Sequence, residues 1–388
     1  MKNSLETVRL GLIGMGNMGN WHMSWLGSDK IPGLKLVAIC DVVESKLQKF
    51  PAYRHFLDHR DLLKSNLVDA ILVATPHYSH TTIGIDALNA GYHVLVEKPI
   101  SAHKADCERL IAAHRNPNQI FAAMFNQRTD SIYQKIRSMV QGGELGKIQR
   151  INWIITDWFR THAYYASGGW RATWAGEGGG VLLNQCPHNL DLFQWIFGMP
   201  KKVRGFCQFG RYHDIEVEDS VTAYMEYENG CTGVFITTTG EAPGTNRLEV
   251  TGEQGKLVME GGNLTYTRNE IQMSRFSRET PFGFGQPEVW HATIPIVQKG
   301  EQHAGILKNF TNAILKGEML LSPAKEGIRS VELGNAIILS ALHDKTVELP
   351  LSSSEYEETL MGLINQSDRK TKTPVLEKVA EDFSSSFK

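Results

Sequence analysis

Short apolar runs set the rhythm of the first third of the chain. Residues 8–13, 36–40, 70–74, 93–96 and 120–125 are almost continuously apolar and rich in Val, Ile, Leu and Ala, and the stretches between them carry helical signals. Unbroken apolar runs are what strands show when both faces of a sheet are covered. A parallel sheet built from βαβ units is therefore expected here. Ser79 ahead of the run 82–90, with Gly91 as its stop, predicts one of the crossover helices.

Beyond a helical stretch at 131–141, closed by Gly142-Gly143, the pattern changes to longer alternating segments at 148–158, 203–209, 220–227, 232–239, 247–251 and 256–260. Alternation marks strands with one buried face, so a largely antiparallel sheet of about six strands is expected. Asn229-Gly230 between two of them predicts a type I′ hairpin turn. Helices are expected over 180–197, 304–316 and 324–343. The expected fold class is α/β: a doubly wound Rossmann domain at 1–126, then an α+β domain at 127–366 with a large, mostly antiparallel sheet. The late helices can pack back on the first domain, and a polar tail is expected over 367–388.

Composition narrows the partners. At 388 residues, with 41% hydrophobic and 21% charged, the chain can fill two cores. Its 40 Lys and Arg against 42 Asp and Glu leave a formal charge of -2, with no positive field to attract nucleic acid or an anionic membrane. The run 8–13 is too short for a signal-peptide core and is broken at Gly11, and no stretch approaches the ~20 apolar residues that span a bilayer. A cytoplasmic protein is expected. Cys40, Cys107, Cys186, Cys207 and Cys231 are scattered and odd in number, which argues against a disulfide framework or a structural zinc site. Cys186 and His188 alone do not make a metal site, so no metal is expected.

Candidate chemistry begins at the first strand's end. Gly14-Met15-Gly16-Asn17-Met18-Gly19 follows that strand and opens a helix, the setting in which G-x-G-x-x-G seats a dinucleotide pyrophosphate. With 36 glycines in the chain the match alone is weak, and its position in the first βα unit is what gives it weight. Asp41 ends the second strand. Its carboxylate can accept from the adenosine ribose hydroxyls and repels a 2′-phosphate, favouring NAD over NADP; the plainer alternative is that it caps the next helix. Thr75, Pro76 and His77 close the third strand on the same edge. Glu97, Lys98 and Pro99 close the fourth, which puts a lysine near the nicotinamide end of the crevice, and Asn126, Gln127 and Arg128 follow the fifth.

The early glycine turn, Glu97-Lys98-Pro99, and the run Gly178-Gly179-Gly180-Val181-Leu182-Leu183-Asn184-Gln185-Cys186-Pro187-His188-Asn189-Leu190-Asp191 together resemble the glucose-fructose oxidoreductase / inositol dehydrogenase / MocA family over roughly residues 7–365. Trp170-Arg171, Glu218-Asp219 and Glu348-Leu349-Pro350 add to the resemblance. It implies an NAD(P)-dependent oxidoreductase of sugars or cyclitols, commonly a dimer or tetramer, here expected to assemble through the open face of the second sheet. It also matches the family's catalytic lysine to Lys98 and its histidine to His188. Several relatives carry aspartate where this chain has Asn184. An amide cannot take a proton at neutral pH, so the base role is expected to pass to His188, with Lys98 on the reacting oxygen.

Helical spacing predicts Asn184, His188 and Asp191 on one face turned to the cleft. Asn126 is expected on the cofactor, Arg128 on cofactor or substrate oxygens, and Trp158, Arg160, Tyr164, Tyr165, Trp170 and Arg171 as an aromatic and basic platform for a sugar ring. His303 is a weaker candidate for the cleft. Two reactions fit: net hydride transfer from a secondary hydroxyl of a sugar, glycoside or cyclitol, and glycoside cleavage through transient C3 oxidation and elimination.

Overall fold

A computed structural model describes residues 6–28, 30–167, 169–296 and 299–367. The polar tail expected over 367–388 lies outside these residues apart from its first position. The N-terminal half runs β1 (Val8–Ile13), α1 (Asn17–Leu26), β2 (Leu34–Cys40), α2 (Glu44–Leu47), β3 (Arg54–Phe56), α3 (His59–Lys64), β4 (Ala70–Val73), α4 (His77–Asn89), β5 (His93–Val96), α5 (Lys104–Ala113) and β6 (Phe121–Ala123). Its six strands lie in the order β3-β2-β1-β4-β5-β6, all parallel. The order reverses between β1 and β4, and in such sheets the crevice for a ligand opens at that point, outside the carboxyl ends of the strands.

The chain continues through a 3-10 turn (Asn126–Thr129), α6 (Ser131–Gln141), β7 (Ile148–Ile155), α7 (His162–Ala166), α8 (Pro187–Phe197), β8 (Lys202–Phe209), β9 (Glu218–Glu226), β10 (Thr232–Thr238), β11 (Asn246–Gly252), β12 (Gly255–Glu260), β13 (Asn263–Asn269), α9 (Met273–Glu279), β14 (Val289–Ile294), α10 (Gln302–Lys316), α11 (Gly327–Leu342), β15 (Val347–Glu348) and α12 (Ser353–Gln366). Nine strands form one sheet, β14-β13-β12-β11-β7-β10-β9-β8-β15, antiparallel except where β7 and β10 run parallel. One face is covered: Trp153, Val221, Ala223, Phe235 and Val250 pack with Leu190 and Phe193 of α8 and Leu333 and Ile337 of α11. Each large side chain buried there contributes roughly 1.5–3 kcal/mol. The alternate positions stay open, with Phe206 and Tyr224 exposed on that outer face.

Each face of the Rossmann sheet has its own apolar layer. Leu10, Leu12, Leu72 and Leu95 pack with Ala304, Ile306, Leu307 and Phe310, so α10 returns from the end of the chain to cover one of them. α11 bridges the two halves, touching α5 on one side and α8 and β8 on the other.

Several details differ from the sequence reading. The second sheet has nine strands rather than about six, because the edge strands β13, β14 and β15 are short or carry polar residues that blur the alternation. β3 is only three residues long and shows no period at all. α4 starts at His77 with Pro76 at its cap, a turn ahead of the expected signal at Ser79. The hairpin at Asn229-Gly230 is present, but only Gly230 has positive φ. The Gly230 N-H bonds Tyr227 O and the Tyr227 N-H bonds Cys231 O, which makes a three-residue turn in place of type I′.

Candidate active site

The glycine turn sits at the reversal of strand order. Gly14 has φ of +99°, and a Cβ there would fall 2.5 Å from Ala74 O. At Gly19 a Cβ would fall 1.9 Å from Gly14 O, so strand and helix pass too closely for any side chain. Gly16, the cap of α1, is different: a Cβ there would meet nothing within 4 Å. Two glycines thus bring the turn together, while the third leaves open room before the helix N-terminus. Asn17 and Met18 lie in the first turn of α1, where backbone N-H groups have no intrahelical partner and the helix dipole favours an anion. That cradle fits a pyrophosphate.

Asp41 is buried at the end of β2. It accepts from the Met15 N-H at 2.8 Å and the Val43 N-H at 2.9 Å, and pairs with Lys46 at 3.3 Å. It holds the glycine turn and does not cap α2, whose cap residue is Val43. Beyond β4, Thr75 Oγ1 is buried with no partner among the described residues, and Pro76 is exposed. His77 Nδ1 bonds Glu177 O at 3.1 Å, and burial pushes its pKa down to about 3, so it stays neutral.

Lys98 leaves the end of β5 and crosses to the second domain. Its Nζ donates to Asn184 O at 2.9 Å. Burial pushes its pKa down, with Glu97 and Glu177 pulling back and Arg160 pushing further. Glu97 lies behind it, bonded to His22 at 2.7 Å, both side chains almost wholly buried. Burial works against the Glu97 charge, but the bond from His22 prevails and holds the carboxyl at about 2. His188, at the start of α8, presents an edge to Phe125 with ring centroids 6.2 Å apart. Its Nδ1 is buried without a partner among the described residues. Burial, and then the charge of Lys98, hold this imidazole well below the usual 6.5.

The shared helical face does not hold. α8 begins at Pro187, and the glycine run before it is a series of turns, because the Gly180 and Leu182 N-H groups bond the carboxylate of Glu218 at 2.8 and 3.0 Å. Asn184 therefore reaches the site from a turn. Its Nδ2 donates to Glu177, and its Oδ1 accepts from the Tyr164 hydroxyl at 3.4 Å. Asp191 faces away from the cleft and into Arg128.

Arg128 is a further correction. It is 0% exposed, bonds both oxygens of Asp191 at 2.7 Å, and reaches Glu326 at 2.6 Å and Leu321 O at 3.1 Å. A guanidinium occupied on all sides and wholly covered has no edge to offer cofactor or substrate. Its place is structural, locking the turn after β6 to α8 and to the segment before α11.

The aromatic and basic residues ahead of the glycine run do gather. Trp158, Arg160, Tyr164, Tyr165, Trp170 and Arg171 are all half-buried. Arg160 stacks on Trp158 and Tyr164, Arg171 on Tyr164 and Trp170, and Arg171 donates to the Tyr164 hydroxyl at 2.9 Å. Trp170 also meets His77 edge-on, so the cluster reaches the Rossmann side of the cleft. Tyr165 turns its hydroxyl to Thr239 at 2.9 Å and Trp158 donates to Asn189 at 3.2 Å, leaving only parts of their rings to the cleft.

Asn126 donates to Gln302, and its buried Oδ1 has no partner among the described residues. With His303, Trp21 and Gln302 it lines a cavity of about 470 Å³ between α1 and α10. This cavity contains neither Lys98 nor His188. Its wall residue His303 lies with its ring 5.6 Å from that of His22, the partner of Glu97.

Glu177 and His22 escaped the sequence reading. Glu218 entered it only through the pair Glu218-Asp219, and Tyr164 only as an aromatic face. All four take their meaning from hydrogen-bond partners 7 to 75 positions away.

A pyrophosphate cradle at a Rossmann switch point, facing a half-buried lysine across a cleft from an open-faced sheet, defines a nicotinamide-dependent oxidoreductase. Residues 8–125 match the oxidoreductase family with an NAD-binding Rossmann fold, and residues 133–258 match the GFO/IDH/MocA C-terminal domain. The chain belongs to the GFO/IDH/MocA oxidoreductase family, and its cofactor is NAD. It is 24% identical over 355 residues to myo-inositol 2-dehydrogenase of Thermotoga maritima, covering 88% of this chain and 98% of that protein. Levoglucosan dehydrogenase of Pseudarthrobacter phenanthrenivorans is 22% identical over 402 residues, 90% of this chain and 100% of that protein. Among solved structures, the WlbA dehydrogenase of Bordetella pertussis in complex with NADH and UDP-GlcNAcA aligns with a TM-score of 0.74 at 24% identity, covering 89% of this chain and 100% of the other. No helix among the described residues is long and apolar enough to cross a membrane.

Proposed function

We propose that this protein oxidises a secondary hydroxyl of a sugar, glycoside or cyclitol, or reduces the corresponding ketone, with Lys98 and His188 handling the proton. The observation that carries the reading is a set of buried polar atoms left without partners around the cleft: Thr75 Oγ1, Asn126 Oδ1 and His188 Nδ1. Buried polar atoms are nearly always paired, and one without a protein partner marks a place for a water, an ion or a ligand, or a strained or catalytic group. Relatives named for inositol and levoglucosan support a polyhydroxylated substrate.

In this reading the backbone N-H groups at Asn17 and Met18 hold the dinucleotide phosphates, while Asp41 takes the adenosine ribose. Bound NAD supplies the hydride acceptor. Lys98 donates to the substrate oxygen and stabilises the alkoxide character that develops as the hydride leaves. His188, kept neutral by burial and by the Lys98 charge, is available to take the hydroxyl proton. Arg160, Tyr164, Trp170 and Arg171 orient the ring, aromatic faces against C-H groups and guanidinium groups against hydroxyls. Phe206 and Tyr224, exposed on the open sheet face, support assembly there into a homodimer or homotetramer. In this reading the enzyme is cytoplasmic, its formal charge of -2 offering no positive field for an anionic membrane.

Absorbance at 340 nm over a panel of monosaccharides, inositols and glycosides tests the reaction. NADH accumulating with a polyol is the expected result. Aglycone release from a glycoside without NADH accumulation would replace net oxidation with the elimination chemistry. The cofactor preference is checked separately. Asp41→Ala should narrow the ratio of kcat/KM with NAD to that with NADP by about tenfold, the factor that accompanies 1.4 kcal/mol. An unchanged ratio would remove Asp41 from the ribose.

A further inference from the structure

The carboxylate of Glu177 is 1% exposed and lies two hydrogen bonds from Lys98. Its Oε1 accepts from Asn184 Nδ2, and its Oε2 accepts from the Ala172 N-H at 2.6 Å. Both oxygens face N-H donors, an arrangement that suits the ionised acid, since a carboxylic acid would need an acceptor for its own proton. Ala172 is in the left-handed region at φ of +54°, so this bond also secures a backbone turn that a side-chain-bearing residue seldom adopts. Burial pushes the Glu177 carboxyl up from its ordinary value, while the charge of Arg171, the bonds from Ala172 and Asn184 and the charge of Lys98 pull it back; the Glu177 carbonyl takes the bond from His77. This acid therefore touches the proton site, the aromatic platform and the Rossmann edge.

Its effect on Asn184 is specific. An amide has two ends, and a carboxylate accepts only from the nitrogen. With Nδ2 drawn to Glu177, Oδ1 must face the other way, where the Tyr164 hydroxyl donates to it. We propose that Glu177 is a positioning residue of the active site: it locks the Asn184 amide with its oxygen toward Tyr164 and the cleft, so that position 184 acts as a hydrogen-bond acceptor for a hydroxyl. An acceptor there receives an O-H group and turns away a carboxylate, which matches a polyol and rests on the functional reading above.

The pair has a built-in test, because its two members can exchange chemistry. In Glu177→Gln an amide nitrogen meets Asn184 Nδ2 or the Ala172 N-H, donor against donor. In Asn184→Asp two carboxylates meet. In the double swap, the glutamine oxygen accepts from Ala172 while its nitrogen donates to the aspartate, so every bond is restored. Thermal melting of the cofactor-free protein reads the pairing without any turnover. Each single variant is expected to melt below the wild type, with the double swap recovering most of the loss. For polyol oxidation, Glu177→Gln should lose about ten- to hundredfold in kcat/KM, the range of one unpaired buried polar group, with NADH affinity by fluorescence unchanged.

Additive losses in the double swap, or a Glu177→Gln variant that melts and turns over like the wild type, overturn the proposal. A single variant that fails to fold supports the pairing when the swap folds, and counts against it when the swap fails too. Coupled melting in a protein that reduces NAD with no carbinol overturns the functional reading and leaves the Glu177 to Asn184 pairing supported.

Discussion

Replacing Lys98 with alanine is expected to lower kcat/KM for carbinol oxidation by about 10²–10⁴-fold, the range associated with a positioned proton-handling group. NADH affinity, followed by fluorescence, should stay close to that of the wild type, because the phosphate cradle belongs to α1 and Lys98 donates to Asn184 O across the cleft. The pH dependence makes the assignment sharper. In the proposed mechanism the competent form has neutral His188 and protonated Lys98. Burial moves both groups downward, with opposite consequences for the two limbs. The acid limb retreats well below pH 6.5, since His188 must fall far before it picks up a proton. The alkaline limb advances below the 10.5 of an ordinary lysine, since Lys98 gives up its proton more easily. A kcat/KM profile with an acid limb near 6.5 that disappears in His188→Gln would show that His188 titrates as an exposed imidazole, contrary to its surroundings. A large loss of NADH affinity in Lys98→Ala would move Lys98 from the reaction to the cofactor.

The sequence discloses the site unevenly, and the division follows the range of the interactions. The glycine turn reads well because its demands are local: Gly14 needs its positive φ, and Gly19 needs its missing Cβ against an oxygen five residues back. β1, β2, β4 and β5 read equally well, since a strand buried on both faces must be apolar along most of its length, with Arg9 and Lys35 only near the strand starts. Strand direction is another matter. β7 and β10 pair in parallel through contacts some 80 residues apart, and nothing in the alternation of either strand distinguishes that from an antiparallel pair. The segment before α8 misleads for a related reason. Val181, Leu182 and Leu183 look like a helix start, but two N-H bonds to Glu218 hold them as turns. Asn184 reaches Lys98 all the same, from a turn that the remote carboxylate holds.

Arg128 is where a plausible local inference and the observed packing part furthest, and a single substitution separates them. As a substrate contact, Arg128→Met would raise KM and leave the melting temperature alone. The structure predicts the reverse emphasis. The substitution removes the cation from a pair in which both side chains are 1% exposed, leaving Asp191 covered and, among the described residues, bonded only to Gln194, with Glu326 also deprived of its Arg128 partner. Breaking a buried ion pair from one side costs about 3–5 kcal/mol, a large share of a domain's net stability. A pronounced fall in melting temperature is therefore expected, with activity lost chiefly through the fraction unfolded. Replacing both partners, Arg128→Met with Asp191→Leu, removes the uncompensated charge along with its cation, and apolar replacement of a buried pair is often nearly neutral. Most of the stability should then return. If the single variant melts like the wild type and only KM rises, the guanidinium touches substrate after all; if the double variant is no more stable than the single one, the cost lies in lost packing against Phe125 and Trp195, over whose rings Arg128 lies at 5.7 and 5.2 Å.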